Sequence, residues 1–367
     1  MQPPPAFPGD PLEAVDTPAL LVDLDAFERN LDRMAAETTA RGLRLRPHAK
    51  THKSAEVGKA QIARGAVGLC CQKVSEAEAL ADGGIGDLLV TNQVAGARKL
   101  ARLAALARRV RLGVCVDDAG NLAELAKAAV EANAQIDVLV EIDVGAGRCG
   151  LRAPEAVVPL AQRIAASSHL RFAGLQAYNG TAQHLRRPED RQAAIAAAAV
   201  ITRQALAALA AAGLRCETVG GAGTGTYAYE MAEGLWTELQ PGSYCFMDAD
   251  YAANGAPPAY EQSLTVLATV MSAPEAGFAV CDAGHKACAI DSGLPRLASH
   301  PDVALTGASD EHGNIALPAG LTLAVGDRLQ LIPGHIDPTV NLHDWYVCHR
   351  GGTVEAVWPV TARGAVF

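Results

Sequence analysis

Between Leu43 and about Tyr244 the chain alternates short β-type runs with helical runs, and few architectures accommodate that rhythm. The expected strands are Leu43–Lys50, Gly68–Lys73, Asp87–Thr91, Arg111–Asp117, Ile136–Val144, Phe172–Tyr178, Cys216–Gly221 and Thr237–Tyr244, eight in all. The segments between them include Ser75–Ala81, Ala95–Ala107, Ala119–Ala132, Pro154–Ala166 and Asp190–Ala212, and they are rich in Ala, Leu, Glu and Arg. Their apolar residues recur at three- and four-residue steps, the period that buries one face of a helix. Eight β–α alternations over roughly 200 residues predict an α/β fold of the (β/α)8, TIM-barrel type. An open doubly wound sheet is the alternative. Polar residues collect at the carboxyl ends of many runs, where barrel enzymes build their sites, and that favours the barrel.

From about Leu264 to Phe367 the texture changes. Strand-like runs (Thr265–Ser272, Phe278–Asp282, Arg328–Ile332, Trp345–His349 and Thr353–Val360) are punctuated by Gly, Pro and Asp, and no long helical period remains. A second, β-rich C-terminal domain is therefore expected. Ala19–Asp23 precedes a first helix, Asp25–Arg41, and reads as a further strand joining that domain. The expected division is a barrel over 25–260 and a β-rich unit over 1–24 plus 261–367. A chain of 367 residues suits two domains, at about 150 residues each, and buries a core without disulfide or metal staples.

The charge balance, 31 Lys+Arg against 40 Asp+Glu, gives −9 and leaves no basic stripe, so a nucleic-acid partner is not expected. The longest apolar stretch, Ala193 to Leu214, is interrupted by Thr202, Arg203 and Gln204, and no membrane partner is read from it. The Pro-rich N-terminus has no apolar core of a signal peptide. Nine cysteines at irregular spacings, without a C-x-x-C, read as reduced thiols of a cytoplasmic protein.

Five constellations carry chemistry. The first is Arg46-Pro47-His48-Ala49-Lys50-Thr51-His52-Lys53. By the two-residue period of a strand, 44, 46, 48 and 50 share one face, reading Arg, Arg, His, Lys. Such a face needs anionic partners if it is buried, and neighbouring cations favour the neutral amine with which lysine forms imines. A solvated basic strand end is the bland alternative. The second is the glycine-rich turn Gly145-Ala146-Gly147-Arg148-Cys149-Gly150, whose Arg148 could hold an anionic oxygen or could be an ordinary surface arginine. The third and fourth are Gly220-Gly221-Ala222-Gly223-Thr224-Gly225-Thr226 and Gln240-Pro241-Gly242-Ser243-Tyr244, after the seventh and eighth strands. Barrels commonly cradle phosphate there on backbone amides and hydroxyls, although tight turns look the same in sequence. The fifth is His335-Ile336-Asp337, where an extended backbone would put imidazole and carboxylate on one face. That pair suits a divalent metal with open positions, or is simply a turn.

A phosphate cradle, an imine-forming lysine and an arginine together suit pyridoxal 5′-phosphate, and a metal beside it would act as a Lewis acid. At this point the sequence resembles the D-threonine aldolase and D-serine dehydratase group, which has the alanine-racemase type of pyridoxal-phosphate fold. The likeness runs from Asp16-Thr17-Pro18-Ala19 to Trp345-Tyr346 and rests on R-P-H-A-K-T-H-K, the glycine loops and the terminal metal motif. It implies that Lys50 carries the cofactor imine, with Lys53 a bystander, and that Arg148 contacts the cofactor's ring oxygen. It further implies that Tyr178 lines the ring and that Gly223, Thr224, Gly225, Gly242, Ser243 and Tyr244 form the phosphate loops. His184 is implied as the base acting on the substrate hydroxyl, with a surface histidine as the alternative. His335 and Asp337 are implied as metal ligands. A homodimer is also implied.

Within the group, dehydratases resemble H-x-C at the metal motif, whereas aldolases resemble the H-x-D form present here. Oxygen ligation favours Mn²⁺, with Mg²⁺, Ca²⁺ or Zn²⁺ as alternatives. The expectation is an aldolase that cleaves D-3-hydroxy-α-amino acids to glycine and an aldehyde. The alternative is a D-serine or D-3-hydroxyaspartate dehydratase yielding a 2-oxo acid and ammonia. A non-catalytic cofactor carrier and a racemase are weaker rivals, because the first lacks a second domain and the second needs a catalytic tyrosine that no motif singles out. Lys286 is expected to face the cleft or a partner subunit without carrying an imine, Glu311-His312 to lie at the site or simply to form a turn with Gly313, and His343 and Asp344 to stand at most behind the metal motif.

Overall fold

The strand rhythm closes into a ring. The computed structural model describes residues 2–255 and 260–367. After β1 (Ala19–Asp23) and α1 (Leu24–Ala40) come β2 (Arg44–Leu45), β3 (Leu69–Cys71), β4 (Asp87–Val90), β5 (Arg111–Val116), β6 (Ile136–Glu141), β7 (Leu170–Ala177), β8 (Thr218–Gly221) and β9 (Glu238–Leu239). β2 to β9 form a parallel sheet in the order β2-β9-β8-β7-β6-β5-β4-β3. A parallel bridge between His48 and Cys70 joins its two ends. The barrel forms, not the open sheet. Its helices are α2 (Ala55–Ala63), α3 (Val74–Asp82), α4 (Ala97–Leu106), α5 (Ala119–Ala132), α6 (Val157–Ala165), α7 (Pro188–Ala211) and α8 (Tyr227–Glu233).

Local chemistry sets these bounds. The Asp23 carboxylate accepts the Asp25 and Ala26 amides and starts α1. Asp118 does the same for α5, which ends where Asn133 turns left-handed at φ 47°. α4 buries Leu100, Leu103, Ala104 and Leu106, one face at helical spacing. By length and composition α7 could cross a membrane. It nevertheless buries Arg191, Ile195, Ala198, Ala199, Thr202, Ala205 and Leu209, and its Arg203 pairs with Glu233 of α8 at 2.5 Å.

The first strand of the barrel, β2, departs from expectation. Its regular ladder stops at Leu45, and Lys50 lies in a turn instead of extending the strand. Pro47 has no amide to give the ladder; only its carbonyl is used, by Cys70. The basic face is also split. Arg46 is buried against Glu238 (3.0 Å) and Asp87 (2.6 Å), and Arg44 reaches Glu238 at 3.3 Å. With Arg111, Asp137, Arg171 and Glu217 they line a small polar hollow at the amino ends of the strands, opposite the mouth. Cys70, Leu89, Cys115, Leu139 and Ala173 fill the barrel interior as one apolar cluster. All nine cysteines are free.

The remaining strands are β10 (Leu264–Glu275), β11 (Phe278–Cys281), β12 (Arg296–Leu297), β13 (His300–Ala308), β14 (Gly313–Ala316), β15 (Arg328–Ile332), β16 (Trp345–Arg350) and β17 (Thr353–Pro359). With β1 they form a second sheet in the order β11-β14-β13-β12-β15-β10-β1-β16-β17, and β11 also pairs with β10. β1 runs antiparallel to β10 and parallel to β16. Two short helices, α9 (Ala249–Ala252) and α10 (Ile336–Val340), meet where this sheet approaches the barrel. The Ala249 amide donates to Pro333 and the Asp250 amide to Gly334. Those contacts carry the second sheet's metal motif to the barrel mouth.

Candidate active site

A cavity of about 430 Å³ opens at the carboxyl ends of the barrel strands. Ten of the expected site residues converge on it: Lys50, Arg148, Tyr178, His184, Gly223, Thr224, Gly242, Ser243 and the pair His335 and Asp337, the last two from the second sheet's side, make its wall. Lys50 and Asp337, 287 residues apart, come to 2.7 Å between Nζ and Oδ2. The Lys50 side chain is 40% exposed, but it faces this enclosed space and not the outer surface.

That contact reverses one expectation. The arginines presumed to neutralise Lys50 sit at the other end of the barrel. The carboxylate of Asp337 instead holds the Lys50 ammonium well above its ordinary value. Burial opposes ionisation of Asp337, yet the charge and hydrogen bond of Lys50, with help from His335 and Thr51, keep its pKa at about 2. His48 lies beside them, and burial followed by the Lys50 charge keeps it neutral, far below the usual imidazole range. Its Nδ1 accepts the Lys50 amide at 3.3 Å, so Nε2–H is left to donate to Thr91 Oγ1 at 2.9 Å.

The metal motif is not an extended pair. His335 is extended (φ −141°, ψ 119°) and caps α10, and Asp337 lies in the first helical turn. Both still face the cavity. Asp248, wholly buried, accepts the Ile336 amide at 2.9 Å and fixes the backbone between them. His335 Nδ1 is 2.6 Å from Asp291 Oδ2, which leaves Nε2 as the free ring nitrogen. Asp337 Oδ1 is buried and has no hydrogen-bond partner. An orphaned carboxylate oxygen beside a carboxylate-oriented imidazole is a donor set that fits a divalent cation. No group of three or more His, Cys, Asp or Glu side chains gathers for a metal among the described residues. Water or substrate oxygen would therefore complete the coordination.

The glycine loops supply bare backbone. A Cβ on Gly223 would lie 2.4 Å from Gln183 Oε1, and one on Gly242 would lie 2.5 Å from Thr51 Oγ1 and 2.9 Å from the His48 carbonyl. Neither position has room for a side chain. Among the described residues the amides of Gly223, Thr224, Gly242 and Ser243 donate to no protein acceptor. Such a cradle fits a phosphate. Two residues assigned to it by sequence lie elsewhere. Gly225 is not on the cavity wall, and its amide is spent on Gln183 Oε1 at 3.0 Å. Tyr244 points away into the core, with its hydroxyl on Gln61 (3.2 Å) and its amide on Thr224 Oγ1 (3.0 Å).

After β6, Gly145 and Gly147 adopt φ of +115° and +63°, and both amides close on Asp143 Oδ1 at 3.0 Å. This turn presents Arg148, whose guanidinium lies 5.9 Å from the centre of the Tyr178 ring. After β7, His184 ends a short 3₁₀ turn, with Nδ1 2.6 Å from Asp250 Oδ2. That hydrogen bond raises its pKa.

Sequence reasoning missed Gln72, Thr91 and Tyr251 on the wall, and Asp250 and Asp291 behind it. Gln72 and Thr91 immediately follow β3 and β4, so polarity at a strand's carboxyl end was the available signal. Lys286, Glu311, His312, His343 and Asp344 do not line the cavity: Lys286 pairs with Glu311 at 2.7 Å, His343 meets the Ala287 carbonyl, and Asp344 meets Arg363.

Comparison with known proteins places the chain in a family. Residues 22–250 match the family described as alanine racemase, N-terminal domain, and residues 263–349 match a serine dehydratase domain. The chain is 47% identical to a D-threonine aldolase of an Arthrobacter species, over 99% of this chain and 96% of the other. It is 49% identical to a 3-hydroxy-D-aspartate aldolase of Paracoccus denitrificans, over 98% and 95%. The crystal structure of D-threonine aldolase from Filomicrobium marinum superposes with a TM-score of 0.97 at 51% identity, covering 100% of both chains.

Proposed function

The chain belongs to the D-threonine aldolase-like family built on the alanine racemase N-terminal domain, and from that premise we propose how its cavity works. The protein is a lyase of D-3-hydroxy-α-amino acids, splitting Cα from Cβ to give glycine and an aldehyde. The observation that carries the site assignment is the 2.7 Å approach of Lys50 to Asp337, beside the two glycine loops.

Pyridoxal 5′-phosphate, once bound, supplies an aldehyde that condenses with amines and a ring that accepts the electron pair released at Cα. A divalent ion supplies Lewis acidity. The residues of this chain do the rest. The amides of Gly223, Thr224, Gly242 and Ser243 and the hydroxyls of Thr224 and Ser243 would hold the phosphate. Arg148 would face the ring oxygen and Tyr178 the ring. His335 Nε2 and the free Oδ1 of Asp337 would hold the ion. Lys50 must surrender a proton before its amine can react, and Asp337 opposes that while the two are paired. His184, with Nε2 toward the cavity, takes the proton of the substrate's 3-hydroxyl. The Cα–Cβ electron pair then moves toward Cα as the C–O unit becomes a carbonyl. A proton delivered to Cα completes glycine, so no water is consumed and no redox change occurs.

The hard oxygen ligand of Asp337 supports Mn²⁺, with Mg²⁺, Ca²⁺ and Zn²⁺ as weaker fits. Nine free cysteines support a cytoplasmic enzyme, and the family resemblance supports a homodimer. We take residues 25–260 as the cofactor-binding unit and 1–24 plus 261–367 as the β-rich unit.

Product analysis tests the reaction. Purified protein loaded with cofactor is incubated with D-threonine and with D-serine, with and without divalent metal. Glycine with acetaldehyde, dependent on metal, is expected. A 2-oxo acid with ammonia would overturn the aldolase assignment.

A further inference from the structure

We infer that Asp250 is the positioning residue of His184: its buried carboxylate holds the imidazole in the one tautomer that can take a proton from the substrate. The inference rests on His184 being the base that acts on the 3-hydroxyl.

The two residues come from different loops of the barrel mouth. His184 ends the turn after β7, and Asp250 lies in the first turn of α9, beyond β9. Their side chains meet at 2.6 Å, Nδ1 to Oδ2. Burial is unequal across the pair. His184 is 49% exposed toward the cavity, whereas Asp250 is 6% exposed. A carboxylate this enclosed is normally present only where other groups satisfy it. Arg186 supplies that satisfaction: its guanidinium is bonded to Asp250 Oδ1, to the Asp250 carbonyl at 2.7 Å and to Asn254 Oδ1 at 2.8 Å. Asn254 in turn donates to the Gln183 carbonyl, next to His184, at 2.9 Å. The segments 183–186 and 250–254 are thereby laced together around one anion.

Such an anion accepts hydrogen bonds and cannot donate them. The proton between the pair therefore sits on Nδ1, and Nε2 keeps its lone pair. Nε2 is the nitrogen left for the cavity, since Nδ1 is engaged. The ring is packed on one side by Tyr251, 5.9 Å away between centres. Charged and titratable groups facing His184 are Asp250 and Asp248, which favour its cation, and Arg186, which opposes it. The balance makes His184 a stronger base than a free imidazole, in keeping with the geometry. The Asp250 amide also donates to the Gly334 carbonyl, one residue before His335. One residue thus fixes the base relative to the metal motif.

Asp250→Asn separates this role from mere packing. Arg186 would claim the amide oxygen and turn the NH₂ toward His184. The proton would then be forced onto Nε2, and the base would be lost with little change in shape. The cofactor-loaded enzyme with Asp250→Asn should show kcat reduced by about 10²-fold or more, within the range a general base contributes, and KM changed by less than about twofold. The acid limb of its kcat–pH profile should move to lower pH. In the resting enzyme, ¹⁵N NMR of His184 should report Nδ1–H in the native protein and Nε2–H in the variant. Nε2–H in the native protein would overturn the inference, even if the variant fails to fold. So would an Asp250→Asn enzyme with native kcat and an unmoved acid limb, while His184→Asn is inactive. Full turnover by His184→Asn would instead remove the base assignment on which the inference stands.

Discussion

Glu230 should make the protein less stable as pH rises, and Glu230→Gln should abolish that dependence. The residue lies in α8, 1% exposed, behind the glycine loop. Its Oε1 accepts the Thr226 hydroxyl at 2.8 Å, and its Oε2 has no partner. Thr226 is held by Gln183, which also accepts the Gly225 amide. Burial pushes the Glu230 carboxyl from 4.5 to about 8, against the opposing hydrogen bonds from Thr226 and the backbone. Below pH 4.5 both folded and unfolded chains hold the proton. Between 4.5 and 8 the unfolded chain loses it and the folded chain keeps it, so stability falls with pH across that window. At about 1.4 kcal/mol per unit, the full loss is on the order of 4–5 kcal/mol. Glutamine keeps the acceptor for Thr226 but puts an NH₂ where Oε2 had no partner, at a cost of about 1–2 kcal/mol at every pH. The variant should therefore be less stable than the native protein at pH 5 and more stable, by about 2–4 kcal/mol, at pH 8.5. Denaturant unfolding of the cofactor-free protein at four pH values between 5 and 8.5 measures this. All other titrations cancel between the two proteins. A difference that stays constant with pH would refute the reasoning, because no neutral buried carboxyl would then be present.

Three further substitutions test the cavity. Lys50→Ala should lose the absorbance band of a protein-bound imine together with turnover; retention of both would move the imine to another amine. Asp337→Ala should lower the Lys50 pKa, since the carboxylate that raises it is gone, so imine formation on adding cofactor should shift to lower pH. The same variant should lose metal binding by calorimetry, and unchanged metal affinity would take Asp337 out of the ligand set. Gly223→Ala forces a Cβ to within 2.4 Å of Gln183, whose side chain is pinned by Asn179, Thr226 and Gly225. Overpacking of about 1–3 kcal/mol should weaken cofactor affinity by about 10-fold or more, and a native dissociation constant in an absorbance titration would contradict it.

The barrel was legible because it is written locally. Each helix carries its own period, as Leu100, Leu103 and Ala104 do in α4, and each turn its own glycine, as Gly145 and Gly147 do before Arg148. Two features of the first barrel strand, β2, were not local. Its end depended on Pro47 and on which neighbour its carbonyls would find. The fate of its four basic residues depended on partners such as Glu238, 192 residues away from Arg46. A period-two reading groups residues by face. It says nothing about position along the barrel axis, and here that position divides Arg44 and Arg46 from His48 and Lys50.

The site shows the same division between what a residue type announces and what its neighbour decides. Lys50, His184, His335 and Asp337 announced themselves by chemistry and motif, and the fold brings all four to one cavity. What the lysine and the two histidines can do is set by the carboxylate opposite each, and of those three carboxylates a motif marked only Asp337. Asp337 holds Lys50 charged, Asp250 holds Nδ1 of His184, and Asp291 holds Nδ1 of His335. Both histidines are thus left with the same free nitrogen, although one is read as a base and the other as a ligand. Their roles are separated by what lies opposite. His335 shares its wall with the unpartnered oxygen of Asp337, while His184 is tied by Arg186 and Asn254 to the loop after β9. An aspartate in Met247-Asp248-Ala249-Asp250 looks like any surface acid in sequence. It becomes a determinant of the site because α9 buries it against a histidine from another loop.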